Sequence, residues 1–161
     1  MPINYPPKRG QILICDFTGL LAHEMSKVRP VIVLSPRIAH RFDICTVVAL
    51  STTEPKWIED YHYELYLAIP LPPPFDSPSM WVKGDMVYSL NINRMDKPYK
   101  KNSVGKRNYL DYLISQKDMK AIELCVMNGL GIGDEPADGI HSNHRAGLRF
   151  CPEGWAERTL F

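Results

Sequence analysis

Three short apolar segments in the first third of the chain limit what this sequence can fold into more than any other feature. They cover residues 11–17, 29–35 and 44–50, are rich in Ile, Leu and Val, and are separated by prolines and polar residues. Segments of this length and composition are typical of buried strands rather than helices. Reactive side chains, among them His23 and Thr52, lie in the connections. A small β-barrel presents a site in this way, on loops held by a rigid scaffold.

The rest of the chain adds strands and one late helix. Residues 61–69 alternate polar and apolar side chains, and residues 80–90 form another strand or a pair of strands interrupted by a Gly-Asp pair. Residues 118–128 place apolar side chains on one helical face, and Gly129 is positioned to end that helix. Residues 108–114 are compatible with a shorter helix. The pattern predicts a mainly β, helix-poor α+β fold: a small, strongly bent antiparallel barrel with a C-terminal helix.

Composition indicates one globular domain followed by a different kind of segment. We predict a barrel domain over residues 1–132 and an extension of unknown role over residues 133–161, which lacks an apolar core of its own. The chain is 45% hydrophobic and 23% charged, as soluble domains are. Its net charge of +1 does not by itself indicate a nucleic-acid-binding protein. The basic cluster within residues 97–107 is interpreted as a solvated loop.

Cysteine spacing and hydropathy exclude several classes. The four cysteines are far apart and contain no CxxC pair, so the sequence predicts neither a disulfide framework nor a zinc site, and no cofactor is expected. No apolar run approaches 18 residues, and the N-terminus lacks the apolar core of a signal peptide. We therefore expect a cytoplasmic protein with no membrane partner.

The order and spacing of several dipeptides in residues 8–36 resemble the opening of PemK/MazF-type (Kid-like) toxins of type II toxin–antitoxin modules. That family has a K/R-G-x-I start, an acidic-aromatic or acidic-leucine strand end, a G-x-E-Q-x-x-x-R-P loop and an apolar strand ending near Ser-Pro. The matching pieces here are Arg9-Gly10, Asp16-Phe17, His23-Glu24, Arg29-Pro30 and Ser35-Pro36. The resemblance continues through residues 47–53, weakens after them, and returns at residues 81–89 and 128–132.

The resemblance implies a fold, an activity and partners. The fold would be a compact SH3-like barrel that forms a homodimer. The activity would be sequence-selective, metal-independent cleavage of single-stranded RNA, in which the 2′-hydroxyl attacks and leaves 2′,3′-cyclic phosphate and 5′-hydroxyl ends. A cognate antitoxin protein would inhibit the toxin by covering the substrate groove.

The same resemblance assigns expected roles to residues. Arg29 would neutralise the phosphorane, because a guanidinium matches phosphate oxygens and keeps its charge. Thr52 would donate a hydrogen bond to a phosphate oxygen. His23, which is a histidine in the PemK/Kid branch, would titrate near neutral pH. Glu24 would either position Arg29 or join proton transfer.

Further candidates follow along the chain. Asp85 would be the general base, and Lys83 would stand where that branch has an arginine, as acid or charge stabiliser; a polar turn is an equally good interpretation of this pair. The exit from the third strand is expected to contact RNA through four side chains: Ser51, Thr53, Lys56 and Trp57.

Two other functions remain open from the sequence. One is a gyrase-targeting toxin of the CcdB branch, which uses the same barrel and commonly ends in a Trp-Gly-Ile-like segment, whereas this chain ends in Leu-Phe. The other is a catalytically inactive nucleic-acid- or protein-binding barrel. Met25, Lys83 and Met86 depart from the family pattern and are compatible with this second alternative.

Overall fold

A computed structural model describes residues 2–21 and 24–133 of the chain, which contain eight strands, one 3-10 helix and one α-helix. The elements are β1 (Ile12–Asp16), β2 (Val28–Val33), β3 (Ile44–Ser51), β4 (His62–Tyr66), β5 (Ser79–Asn91), a 3-10 helix (Ile92–Arg94), β6 (Met95–Asp96), β7 (Tyr99–Lys101), β8 (Arg107–Tyr109) and α1 (Gln116–Gly129).

Six strands form one antiparallel sheet in the order β4-β5-β3-β2-β1-β6, and β7 and β8 form a separate hairpin. The prediction of a mainly β, antiparallel fold with a C-terminal helix is therefore confirmed. Within the described ranges, no ladder joins the edge strands β4 and β6. Closure into a complete hydrogen-bonded barrel, which the sequence analysis expected, is not observed there.

The sheet has an apolar core on each face because successive side chains of a strand point to opposite sides. Leu13, Val31 and Val47 belong to one buried cluster, and Ile12 and Ile32 belong to the other. Helix α1 covers the second cluster with Met119 and Ile122, and its Cys125 side chain is also buried. We call the face covered by α1 the helix face and the opposite one the outer face.

Helix α1 begins and ends where local chemistry allows. The Ser115 side chain caps it by accepting a hydrogen bond from the Asp118 backbone N–H at 3.1 Å. The Asp118 carboxylate also accepts a hydrogen bond from the Tyr63 hydroxyl at 2.8 Å, which ties the first turn to β4. The helix ends at Gly129, as the sequence predicts, and includes the whole predicted range of residues 118–128.

The segment before α1 differs from its prediction. The prediction of a short helix over residues 108–114 is wrong, because β8 occupies the first positions of this range and an isolated bridge joins Leu113 to Gln11. The basic cluster is a hairpin rather than an irregular loop. In this hairpin Tyr99 lies opposite Tyr109, and the guanidinium of Arg107 lies 4.4 Å from the Tyr99 ring centroid. These cross-strand contacts stabilise β structure where the sequence has little apolar periodicity.

Strand β5 is continuous but contains a bulge. Ala49 pairs with Lys83 and Val48 pairs with Val87, so β5 has three extra residues at this point. The buried Gly84 lies in the bulge and faces the backbone of α1. A bulge bends a strand and redirects its side chains, and the interruption anticipated within residues 80–90 takes this form.

The structure bears on the predictions made for the cysteines, for metal binding, for membrane spans and for the C-terminal extension. Cys15, Cys45 and Cys125 are buried free thiols, whereas Cys151 lies outside the described residues. In the described ranges, no group of three or more His, Cys, Asp and Glu side chains could hold a metal ion. No described helix is long and apolar enough to cross a membrane. Most of the predicted extension, residues 134–161, also lies outside the described part.

Candidate active site

Arg29 lies in β2 opposite Cys15, and its side chain is half-buried. Its Nε atom is buried and has no hydrogen-bond partner among the described residues. An unsatisfied buried donor costs about 1–3 kcal/mol in protein stability, so such groups are rare in folded chains. The guanidinium therefore has one buried donor that the described residues leave unpaired.

Lys83 shares the outer face with Arg29. The pairings Val31–Ala49 and Ala49–Lys83 put Lys83 in one row with Val31, and Arg29 precedes Val31 by two residues on the same side of β2. Two strand spacings separate β2 from β5 by about 10 Å, which two long basic side chains can span. Ala49 lies between the two strands that carry them and is fully buried in the apolar cluster of this face.

Asp85 is exposed and lies in the bulge of β5. The backbone N–H of Gly84 donates to the Tyr61 carbonyl at 2.8 Å, which anchors this part of the bulge to the start of β4. Burial raises the pKa of Tyr61, and the negative charge of Asp85 raises it further. The expected base and the expected lysine are thus brought together on one rigid, bulged strand.

A second row on the outer face contains Ser51, Trp81 and Glu64, which are cross-strand neighbours in β3, β5 and β4. Trp81 is half-buried and lies two residues along β5 from Lys83, on the same face of the strand. Sequence reasoning did not select Trp81 as a site residue. The strand pairing that brings it beside Ser51 is not readable from the local sequence.

The connection after β3 carries the other predicted RNA contacts. Thr52 and Thr53 are exposed, but Ser51 is only 6% exposed, and its hydroxyl accepts from the Thr53 N–H at 3.1 Å. Lys56 lies 5.3 Å from the ring centroid of Trp57, which is 70% exposed. The structure therefore gives Ser51 a role in shaping this loop and leaves the aromatic and basic groups accessible to solvent.

Two predicted residues lie in the connection between β1 and β2. Glu24 accepts a hydrogen bond from the Leu21 backbone N–H at 2.6 Å. Among the described side chains, Glu24 is not within ion-pair distance of Arg29, so the expected direct positioning of Arg29 by Glu24 is not observed. His23 lies outside the described residues.

His62 is a polar neighbour of the site that was not among the residues predicted from the sequence. It lies in β4 directly opposite Lys83. Burial lowers the pKa of His62, the Lys83 charge lowers it further, and the negative charges of Asp85, Glu59 and Asp60 oppose this effect. The alternation in residues 61–69 puts His62 on one strand face, but only the sheet order reveals which residue lies opposite.

Residues 8–128 match the family model described as PemK-like, MazF-like toxin of type II toxin–antitoxin system. The chain therefore belongs to this toxin family, and the resemblance found in its opening residues is confirmed. It is 32% identical over 149 residues to the uncharacterized protein YifN of Escherichia coli (strain K12), with 81% of this chain and 95% of that protein covered.

Solved structures share the fold at lower identity. An endoribonuclease in complex with its cognate antitoxin, from a mycobacterial species, is 18% identical, with 80% of this chain and 99% of that chain covered and a TM-score of 0.55. MazF from Deinococcus radiodurans is 17% identical, with the same coverage and a TM-score of 0.50. The similarity confirms that this antiparallel sheet with one C-terminal helix is a MazF-like fold.

Proposed function

We propose that this chain is an endoribonuclease toxin that cleaves single-stranded RNA sequence-selectively and without a metal ion. The observation that carries the proposal is the unsatisfied Nε donor of Arg29 on the outer face, two strands from Lys83. Two cationic side chains at this spacing are better suited to bind an anionic phosphodiester than to bind a neutral ligand. Membership of the toxin family supports the same substrate class.

The proposed reaction is an internal transfer. The 2′-oxygen attacks the adjacent phosphorus and forms the cyclic phosphate, while the bond from phosphorus to the 5′-oxygen breaks. The carboxylate of Asp85 accepts the proton of the 2′-hydroxyl, and the Lys83 ammonium group gives a proton to the 5′-oxygen, which leaves as a hydroxyl group. Arg29 and Lys83 stabilise the additional negative charge on the pentacoordinate phosphorus, which is the largest electrostatic demand of the step.

Substrate positioning is assigned to the connection after β3 and to the adjacent outer face. The hydroxyl of Thr52 donates a hydrogen bond to a non-bridging phosphate oxygen of the RNA. Thr53 and Lys56 contact the sugar-phosphate backbone of the RNA. The exposed ring of Trp57 stacks on an unpaired base. Ser51 supports this loop through its hydrogen bonds with Thr53.

The proposal takes the inhibition of the enzyme by an antitoxin and its assembly into a homodimer from the toxin family. A cognate antitoxin inhibits the enzyme by covering the outer face, and the active form is a homodimer. The mycobacterial relative was solved as an endoribonuclease in complex with its cognate antitoxin, which supports an antitoxin as a partner. Glu24 holds the β1–β2 connection in place through the Leu21 N–H and acts on the site through that loop.

The test is incubation of the purified chain with a long single-stranded RNA in excess EDTA, followed by mapping of the product ends. We expect cleavage at a restricted set of sequences, with cyclic phosphate and 5′-hydroxyl ends. The Arg29→Ala protein is the matched control and is expected to leave the RNA intact while remaining folded by circular dichroism. Intact RNA with the unmodified chain, across several RNAs, would overturn the proposal and favour a binding-only barrel.

A further inference from the structure

We propose that His62 provides a neutral hydrogen-bond donor, its Nε2–H, to the phosphate that is cleaved beside Lys83. This inference rests on the proposed endoribonuclease function and adds to it a substrate-contacting residue that the family resemblance does not assign.

His62 lies beside Lys83 in the sheet. His62 and Lys83 are direct cross-strand partners in the β4–β5 ladder, so their side chains emerge on the same side of the sheet. The Cβ atoms of such partners are about 5 Å apart. A phosphate oxygen bound by the Lys83 ammonium group therefore lies within reach of the imidazole.

The imidazole of His62 is held in one orientation. Nδ1 of His62 accepts a hydrogen bond from the Glu59 backbone N–H at 3.1 Å. Because Nδ1 accepts, the proton of the neutral ring is on Nε2. The Tyr61 ring packs against the imidazole with centroids 4.5 Å apart. These contacts hold the ring, and the described residues provide no hydrogen-bond partner for Nε2.

The surroundings of His62 favour its uncharged form. Protonation of Nδ1 would turn it into a donor that faces the Glu59 N–H donor, and the hydrogen bond between them would be lost. The geometry therefore favours the neutral ring. Burial and Lys83 lower the pKa of His62, while Asp85 on β5 and Glu59 and Asp60 before β4 partly offset them. The neutral form therefore persists to lower pH than for a free histidine. A neutral imidazole can still polarise a substrate oxygen as a donor.

The chain offers a matched set of variants. His62→Ala removes the donor, and His62→Gln replaces it with an amide N–H on a more flexible side chain of similar length. His40→Asn is the control, because His40 is an exposed histidine outside the site with a positive φ of 63°, which asparagine tolerates. Each full-length protein is assayed for kcat and KM with single-stranded RNA. Binding of a 2′-deoxy oligonucleotide, which cannot react, is measured by fluorescence anisotropy.

We expect His62→Ala to lower kcat by about 10- to 100-fold, because loss of one preorganised donor removes stabilisation that is strongest in the transition state. Affinity for the deoxy oligonucleotide should change less than about threefold. His62→Gln should recover part of kcat, and His40→Asn should match the unmodified chain. In nitrogen NMR, addition of the deoxy oligonucleotide should shift Nε2 of a neutral His62.

The outcomes separate this inference from the function on which it rests. If the unmodified chain cleaves RNA and His62→Ala is equally fast, the donor role is wrong and the endoribonuclease proposal stands. If the unmodified chain does not cleave RNA, both are wrong. If His62→Ala does not fold, the NMR experiment on the unmodified chain decides, and an Nδ1–H tautomer or an unshifted Nε2 would overturn the inference.

Discussion

Gly84 in β5 meets the backbone of Cys125 in α1 with no side chain between them: a Cβ atom built on Gly84 would lie 2.4 Å from the Cys125 carbonyl oxygen. Gly129 makes the reciprocal approach, since its Cβ would lie 2.7 Å from the Asp85 backbone nitrogen. The last turns of α1 are thus pressed against the bulge that carries Lys83 and Asp85. The helix that closes the core also fixes the position of the candidate active site.

A methyl group at Gly84 is expected to disturb this contact. Gly84→Ala should lower the free energy of unfolding by about 1–3 kcal/mol, because backbone atoms must move apart to admit the Cβ. RNA cleavage should fall as well, since Lys83 and Asp85 flank the displaced residue. Urea unfolding checks the first expectation, with Gly133→Ala as control, because nothing lies within 4 Å of a Cβ at that position. Equal stability of the two variants would contradict the close packing.

The buried thiol of Cys125 reports on the same helix–bulge contact. Burial raises the pKa of Cys125 and of Cys45 to about 11, and that of Cys15 to about 12. The folded chain therefore keeps these thiols protonated at neutral pH and well above pH 9, where unfolded thiols ionise. Alkylation of the folded chain near pH 8 should be at least about 100-fold slower than in urea at all three positions.

Peptide-resolved mass spectrometry measures this labelling position by position. Labelling in the folded protein should accelerate when Gly84→Ala is introduced, and most of all at Cys125, whose carbonyl meets the added methyl group. Rapid labelling of Cys125 in the unmodified folded chain would mean that α1 readily leaves the bulge.

The hydrogen bond from Tyr63 to Asp118 joins β4 to the first turn of α1 at 2.8 Å. Burial raises the pKa of Tyr63 to about 12, and the bond to the carboxylate contributes to this shift. Tyr63→Phe should therefore cost about 1–2 kcal/mol of folding free energy, as loss of a bond to a charged acceptor does. Tyr66→Phe is the control, because Tyr66 is 69% exposed. Thermal unfolding with no difference between the two variants would contradict this role of Tyr63.

Local patterns in the sequence were sufficient for the strands and the long helix. The apolar runs around Leu13, Val31 and Val47 predict buried strands. Side chains of a strand alternate between its two faces, so a strand with an apolar core on each face is apolar at successive positions. The helix end at Gly129 follows from local chemistry in the same way. The hairpin of β7 and β8 could not be predicted so easily, because its stability depends on contacts across the hairpin rather than on periodicity along either strand.

The candidate site depends more on topology than the fold does. Arg29, Lys83 and Asp85 could be selected from motif order, but their common location requires the sheet order β4-β5-β3-β2. The same order brings His62 beside Lys83, although the two residues are 21 positions apart. The unsatisfied donor of Arg29 is likewise a property of packing, and no sequence signal announces it.

The most direct test of the central claim compares Arg29→Met with the unmodified chain, using one preparation of each protein for cleavage rate and unfolding free energy. Methionine keeps the apolar stem of Arg29 and removes the buried donor that lacks a partner. We predict a single-turnover rate of RNA cleavage reduced by at least about 100-fold. The free energy of unfolding should stay the same or rise by up to about 1 kcal/mol. An unchanged cleavage rate in this folded variant would contradict the assignment of Arg29 to the active site.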